Sequence, residues 1–242
     1  MSRKLWIPIA GVVGVLLLAG GGAYAYFFSA LRVTPPALAL ASPSATPTAD
    51  ASPTATAGGA GTWTIASGSL AGYRVKEQFA GQSSTHEAVS RTSAVSGQVA
   101  ITQSGGAYQL SAATITVQLS SLASVDSVAG YNVTNRDRIV QRSLDVGSFP
   151  TAVFAAQSVA LPAAASIGQT VTVSVPGKLT IHGVTKNVTA SLQLRVAGST
   201  SQIAGKIVTN MADFGISPPA APFVTVQPGV TIEVSLNLTK SA

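Results

Sequence analysis

Apolar and polar residues alternate with a period of two along most of the chain beyond residue 60. In the run KLTIHGVTKNVTASLQLR, residues 178–195, Leu179 and Ile181 oppose Lys178, Thr180 and His182. Past Gly183, Val188, Ala190, Leu192 and Leu194 alternate with Thr189, Ser191, Gln193 and Arg195. Successive side chains of a strand point to opposite faces, so this spacing buries one face and wets the other, as in an antiparallel sheet. The same signal predicts strands over 62–66, 73–79, 95–102, 108–119, 153–159, 171–175, 202–208 and 230–238, with Gln103-Ser104-Gly105-Gly106 as a hairpin turn. In the last of these, Val230, Ile232, Val234, Leu236 and Leu238 oppose Thr231, Glu233, Ser235, Asn237 and Thr239. Strands with one apolar face each, and no βαβ alternation, predict an all-β fold, an antiparallel barrel or sandwich.

Residues 127–144 break the period of two. Val133, Val140 and Leu144 fall on one side at helical spacing, with Arg138 and Arg142 opposite, and Gly147 and Pro150 follow. This predicts a single helix ending before the glycine. One helix closing an end of a mainly antiparallel sheet fits a lipocalin-like barrel better than a sandwich, whose simplest form needs only about 100 residues.

The N-terminal part has a different character. Residues 5–28 carry no charge, and as a helix they would span roughly 36 Å, enough for a bilayer core of about 30 Å with some tilt. Trp6 lies at one edge and Tyr24, Tyr26 and Phe27 at the other, where amphipathic aromatics favour the interface. Arg3 and Lys4 precede the run and Arg32 alone follows closely. The positive-inside bias then predicts residues 1–4 in the cytoplasm, a single-pass plasma-membrane anchor over 5–28, and everything beyond it outside the cell. The rival reading is a cleaved signal peptide, with Ala23-Tyr24-Ala25 or Ala39-Leu40-Ala41 as the small-residue site. The apolar run exceeds the usual 7–15 residues of such a segment, which favours retention.

Residues 34–61 are almost wholly Pro, Ala, Ser, Thr and Gly. Without apolar side chains to bury, such a stretch gains nothing against the entropy of ordering. A disordered linker over 29–61 is expected, stiffened by Pro35, Pro36, Pro43, Pro47 and Pro53, which would let a domain over 62–242 stand off the membrane.

Composition removes several function classes. The chain has no cysteine, hence no thiolate metal site or cysteine nucleophile. From Thr62 onward there are eleven Lys/Arg and seven Asp/Glu, too dilute a charge for nucleic-acid binding. His86 and His182 stand far apart without a second metal ligand at useful spacing, so neither metal nor other cofactor is expected. No Gly-x-Ser-x-Gly elbow occurs, and Gly177-Lys178 lacks the upstream glycine of a phosphate loop; no enzyme activity is expected.

The run "LTIHGVTK" resembles the most recognisable segment of the YceI-like family. Four further stretches are similar to it, in the same order: Gly61-Thr62-Trp63-Thr64-Ile65; Tyr73-Arg74-Val75-Lys76-Glu77 with Ala88-Val89-Ser90-Arg91-Thr92; Asn135-Arg136-Asp137-Arg138 running to Phe149-Pro150-Thr151-Ala152-Val153-Phe154; and Asp213-Phe214-Gly215-Ile216 before Pro218-Pro219. The pattern departs at Val140-Gln141, where a His-Leu-like pair is common. The resemblance implies a secreted, lipocalin-like barrel that holds a polyprenyl or quinone-like isoprenoid lipid in its interior. The alternative is a ligandless structural or stress-response surface domain.

If the barrel holds a lipid, alternation places Val75, Phe79, Ile115, Val117, Phe154, Leu192, Leu194, Val234 and Leu236 toward it. A register error of one residue would turn a whole strand's set outward. Arg136 and His182 are expected as polar contacts at the mouth. For Arg136 the competing role is an ion pair pinning helix to sheet, and for His182 a turn satisfied by local backbone.

Overall fold

Alternation along the strands closes into a ring. The computed structural model describes residues 32–41, 59–80, 85–128, 133–167, 169–221 and 224–241. The strands, in chain order, are β1 (Arg32–Val33), β2 (Gly61–Ile65), β3 (Leu70–Phe79), β4 (Thr85–Thr92), β5 (Val95–Ser104), β6 (Ala107–Gln118), β7 (Ala123–Ser124), β8 (Ser127–Val128), β9 (Thr151–Ala156), β10 (Val159–Ala160), β11 (Val171–Ile181), β12 (Val184–Ala197), β13 (Thr200–Asn210), β14 (Ala220–Ala221) and β15 (Val224–Lys240). Among the described residues, one α-helix, α1 (Val133–Ser143), lies between β8 and β9.

Among the described residues, eight strands pair in the order β13-β12-β11-β9-β6-β5-β2-β15, and β15 pairs back onto β13. All these pairings are antiparallel. Closure leaves no free edge in the ring, the usual solution for an all-β chain of this size. The long β15 serves two neighbours on one side: its C-terminal end pairs with β2, its N-terminal part with β3, and β3 carries β4 and β7 beyond it. At Gly97, φ is +142°, and a Cβ there would lie 2.0 Å from the Thr114 carbonyl oxygen. Only glycine lets β5 press this closely on β6.

The two ends of the barrel differ. At one end Trp63, Ile101, Val173, Leu194 and Leu238 pack together, all of them buried. Trp63 is 1% exposed, and its indole N–H donates to the Gly59 carbonyl at 3.0 Å. The other end receives α1 and a short 3-10 turn over Met211–Phe214. These are called below the floor and the helix end.

Several expectations are revised. The helix is shorter than 127–144, because Ser127 and Val128 form β8 against Val33 and Arg32. The strand β4 has no alternating pattern to betray it: His86, Ala88, Val89, Ser90 and Thr92 are all buried, so both of its faces are covered. The proposed membrane span over 5–28 lies outside the described residues, and no helix among those described is long and apolar enough to cross a membrane.

The expected linker is corrected over residues 34–41. This stretch lies along the outer barrel wall, held by polar bonds rather than by apolar anchors. Arg74 donates to the Pro35 and Pro36 carbonyls at 2.8 and 2.5 Å, and Arg91 donates to the Pro36 carbonyl. The Leu38 N–H donates to Glu233 at 3.1 Å, Ser235 to the Ala39 carbonyl at 3.3 Å, and Arg195 to the Ala41 carbonyl at 2.6 Å. Glu233 also accepts from Arg74 and Arg91, at 2.7 and 2.9 Å, and is 2% exposed although alternation puts it on the outer face. Burial pushes its carboxyl up, but these donors outweigh that and hold it below the usual glutamate value. The linker expectation also fails at Arg32–Val33, which form β1, and at residues 59–61, where Gly59 and Ala60 pack at the floor and Gly61 opens β2, while residues 29–31 and 42–58 lie outside the described residues.

Candidate functional site

Above the floor the barrel encloses a cavity of about 250 Å³. Its wall is built strand by strand from inward positions: Val75 on β3, Ile115 and Val117 on β6, Phe154 on β9, Leu192 on β12, and Val234 and Leu236 on β15. The register explains why they meet. Ile115 faces Phe154 across β6–β9, and Val234 is flanked by Gly205 on β13 and Ala71 on β3. At the helix end Arg136, Ile139, Val140 and Ser143 line it from α1 at the spacing of a single helical face, with Leu144 just past the helix. Ile139, Val140, Met211, Val224 and Val226 on this rim are only half-buried, in contrast to the sealed floor. The helix end is therefore the mouth.

Seven of the nine apolar residues chosen by alternation line the cavity. Leu194 does not; one inward step from Leu192 toward the floor, it packs in the Trp63 layer. Phe79 does not either, because at the end of β3 its ring turns to His86, 6.2 Å away. His182 also lies off the lining. At φ +53° in the β11–β12 turn, its Nδ1 sits 3.3 Å from the Phe214 carbonyl and its ring stacks edge-on against Phe149, 5.0 Å away.

Arg136 reaches the cavity and at the same time joins a buried charge cluster. Its guanidinium bonds Asp126 through both Nη1, at 3.0 Å, and Nη2, and approaches Glu77 at 3.5 Å. Its Nε donates to Ser124 at 3.2 Å. Asp126, with a fully buried side chain, also lies 2.8 Å from His86 Nε2 and accepts the Val89 N–H at 3.0 Å. Asp137 pins the same helix turn by accepting from the Ser124 amide and hydroxyl. Burial pushes the Asp126 carboxyl up, yet the bonds from His86 and Arg136 outweigh it and hold the group below its usual value. Glu77 goes the other way: burial raises it, and the longer Arg136 contact offsets only part of that. Burial likewise pushes the neighbouring Tyr73 phenol above its usual range.

Glu77 and Tyr73 escaped the sequence reading, although the signal was present. The β3 alternation that turns Val75 inward turns Tyr73 and Glu77 inward with it, and an inward carboxylate is rare without a partner. Asp126 and His86 carried no such signal, since neither lies in a strand with an alternating pattern.

A carboxyl with a raised folded pKa favours folding most strongly below its unfolded value, and that contribution fades as pH rises through the folded value. Charged Glu77 is thus a cost at neutral pH. Glu77→Gln is expected to raise the melting temperature at pH 7–8 and to match the parent protein below about pH 4. A thermal melt series across that range reads it; a lower melting temperature at pH 7.5 would mean that the Arg136 contact outweighs burial.

The YceI-like domain model matches residues 63–238, which span the whole ring from Trp63 to Leu238. The chain belongs to the YceI-like family. No curated protein matches it. Among solved structures, this YceI-like barrel resembles a polyisoprenoid binding domain from Saccharophagus degradans implicated in plant cell wall breakdown. That match has 14% identity and a TM-score of 0.54, and covers 74% of this chain and 98% of that one. BcnA of Burkholderia cenocepacia matches at 17% identity and a TM-score of 0.48 over 69% of this chain and 95% of its own. At 14% identity the Saccharophagus likeness speaks for the fold alone. The Val140 at which the YceI-like pattern departs in sequence lies on the helix face that lines the cavity.

Proposed function

We propose that this YceI-like protein is a membrane-anchored, extracytoplasmic binding protein, not an enzyme, that holds part of an isoprenoid-type lipid, polyprenyl or quinone-like, inside its barrel. The observation that carries this is the cavity: about 250 Å³, walled by aliphatic side chains, with polar groups gathered at the helix end. An apolar cavity of about 150 Å³ already holds a benzene ring, so this one has room for a segment of branched hydrocarbon. A polyisoprenoid, the ligand class of the Saccharophagus domain, is a chain of that kind. A ligandless surface domain would be expected to fill its interior with its own side chains.

The lipid starts in a bilayer, already out of water, so its transfer to the barrel is near neutral and selectivity rests on cavity shape and the polar end. Anchoring is supported by the uncharged run 5–28 and by Arg3 and Lys4 before it. Native mass spectrometry of the full chain released from detergent, with lipid extraction, tests the reading. A co-purifying isoprenoid of defined mass is expected. A bare protein mass that also takes up no ubiquinone from loaded vesicles would overturn it.

A further inference from the structure

Residues 32–41 form a strap that runs the length of the barrel. It begins at the helix end, where Arg32 and Val33 pair with Val128 and Ser127 just before α1. It crosses the outer wall over Arg74, Arg91 and Glu233, and finishes near the floor, where Arg195 close to the β12–β13 turn holds the Ala41 carbonyl. The prolines suit this role. With φ already fixed, Pro35 and Pro36 cost little to order, and their carbonyls are free to accept the guanidinium bonds. Ala204, on the outer face by alternation, is 1% exposed, and its cross-strand partner Ser235 donates to the strap at Ala39.

The strap's direction matters. Only three residues separate Phe28, the last of the apolar run, from Arg32, so the two Cα atoms lie within about 14 Å however the chain runs. Residues 42–58, by contrast, are bounded on both sides by residues bonded to the barrel: Arg195 holds the Ala41 carbonyl, and Trp63 in the floor holds that of Gly59. The Pro/Ala/Ser/Thr stretch thus starts and ends on the barrel and lends no reach between it and the apolar run.

The surface agrees with this direction. The exposed large hydrophobics of the described residues, Val33, Val125 and Val208, all lie toward the helix end. The exposed face of α1 adds Arg138 and Arg142, against Asp145 and Asp213 nearby. These charges balance, so it is the exposed aliphatics that suit this end to a bilayer surface.

We propose that the strap locks the barrel with its helix end, and so the mouth of the cavity, against the bilayer, so that lipid passes directly between membrane and cavity. This rests on the reading of residues 5–28 as a retained anchor. The chain has no cysteine, so single labels are clean. Thr85→Cys marks the helix end and Ser104→Cys the floor end; both positions are exposed. Strands of 10 to 12 residues separate them, on the order of 30 Å after barrel tilt.

The full chain is reconstituted in phosphatidylethanolamine–phosphatidylglycerol vesicles carrying a head-group spin label, and quenching of a fluorophore at each cysteine is measured. Quenching at least threefold stronger at position 85 than at 104 is expected. The difference should vanish when residues 32–41 are replaced by a Gly/Ser stretch of equal length. Equal quenching at both positions with the native strap overturns the proposal, as does a preference that survives the replacement. Lipid content of the same samples, read by mass spectrometry, separates the two readings. Loss of bound lipid with the preference intact sinks only the lipid-holding function, whereas equal quenching with lipid retained sinks only the orientation.

Discussion

Arg136→Ala is expected to lower the melting temperature by on the order of 10 °C. The substitution leaves Asp126, whose side chain is fully buried, without its two-pronged partner and leaves Glu77 without its cation. Removing one member of a buried ion pair costs about 3–5 kcal/mol, because the remaining charge stays out of water. In a domain of this size each kcal/mol is worth about 2–4 °C. Arg142→Ala, further along α1 and exposed, is the control and should fall within about 0.5 kcal/mol of the parent protein.

The pH dependence has a definite sign. Asp126 titrates below its usual value when folded, so its contribution is present above the unfolded value and lost as pH falls through the folded one. The gap between parent and variant should therefore close in acid, below about pH 4. Thermal melts at several pH values, with lipid content measured alongside, check both points. An unchanged melting temperature with reduced lipid would make Arg136 a head-group contact and not a clamp.

The barrel was legible because most of its strands bury one face and wet the other. In β11, β12 and β15 the inward residues stand at every second position, and the register leaves them where alternation put them. Where that condition fails, so does the sequence reading. The strand β4 is covered on both sides, so its residues THEAVSRT show no alternation of apolar and polar positions. The strap was missed for a different reason. Its ordering depends on the carbonyls of Pro35, Pro36 and Ala41 meeting guanidinium groups of β3, β4 and β12, which are far away in sequence. A rule that looks for apolar anchors within the segment cannot see them. Alternation also fixes only which way a side chain points and not its height along the barrel. Leu192 and Leu194 both face inward, yet one lines the cavity and the other lies in the floor.

Filling the cavity with an apolar side chain is expected to expel the lipid while sparing the fold, and Val234→Phe is the substitution the register favours. Val234 lines the cavity, and its cross-strand neighbours are Gly205 and Ala71. Neither has the bulk to obstruct a ring turning into the empty space. A phenyl group there takes the room of a few ligand methylenes, and crowding a chain into the filled space costs about 1–3 kcal/mol. Bound lipid per protein should then drop at least tenfold, since a factor of ten needs only 1.4 kcal/mol. Stability should hold or rise, because filling an apolar cavity commonly adds about 0.5–2 kcal/mol. Leu192→Arg would also empty the barrel, but by placing a charge among aliphatic side chains it threatens the fold itself, so a loss of lipid would carry no information. With Val234→Phe the two effects part. Lipid retained at the parental ratio in a variant with an unchanged melting temperature would mean that the chain binds somewhere other than this cavity.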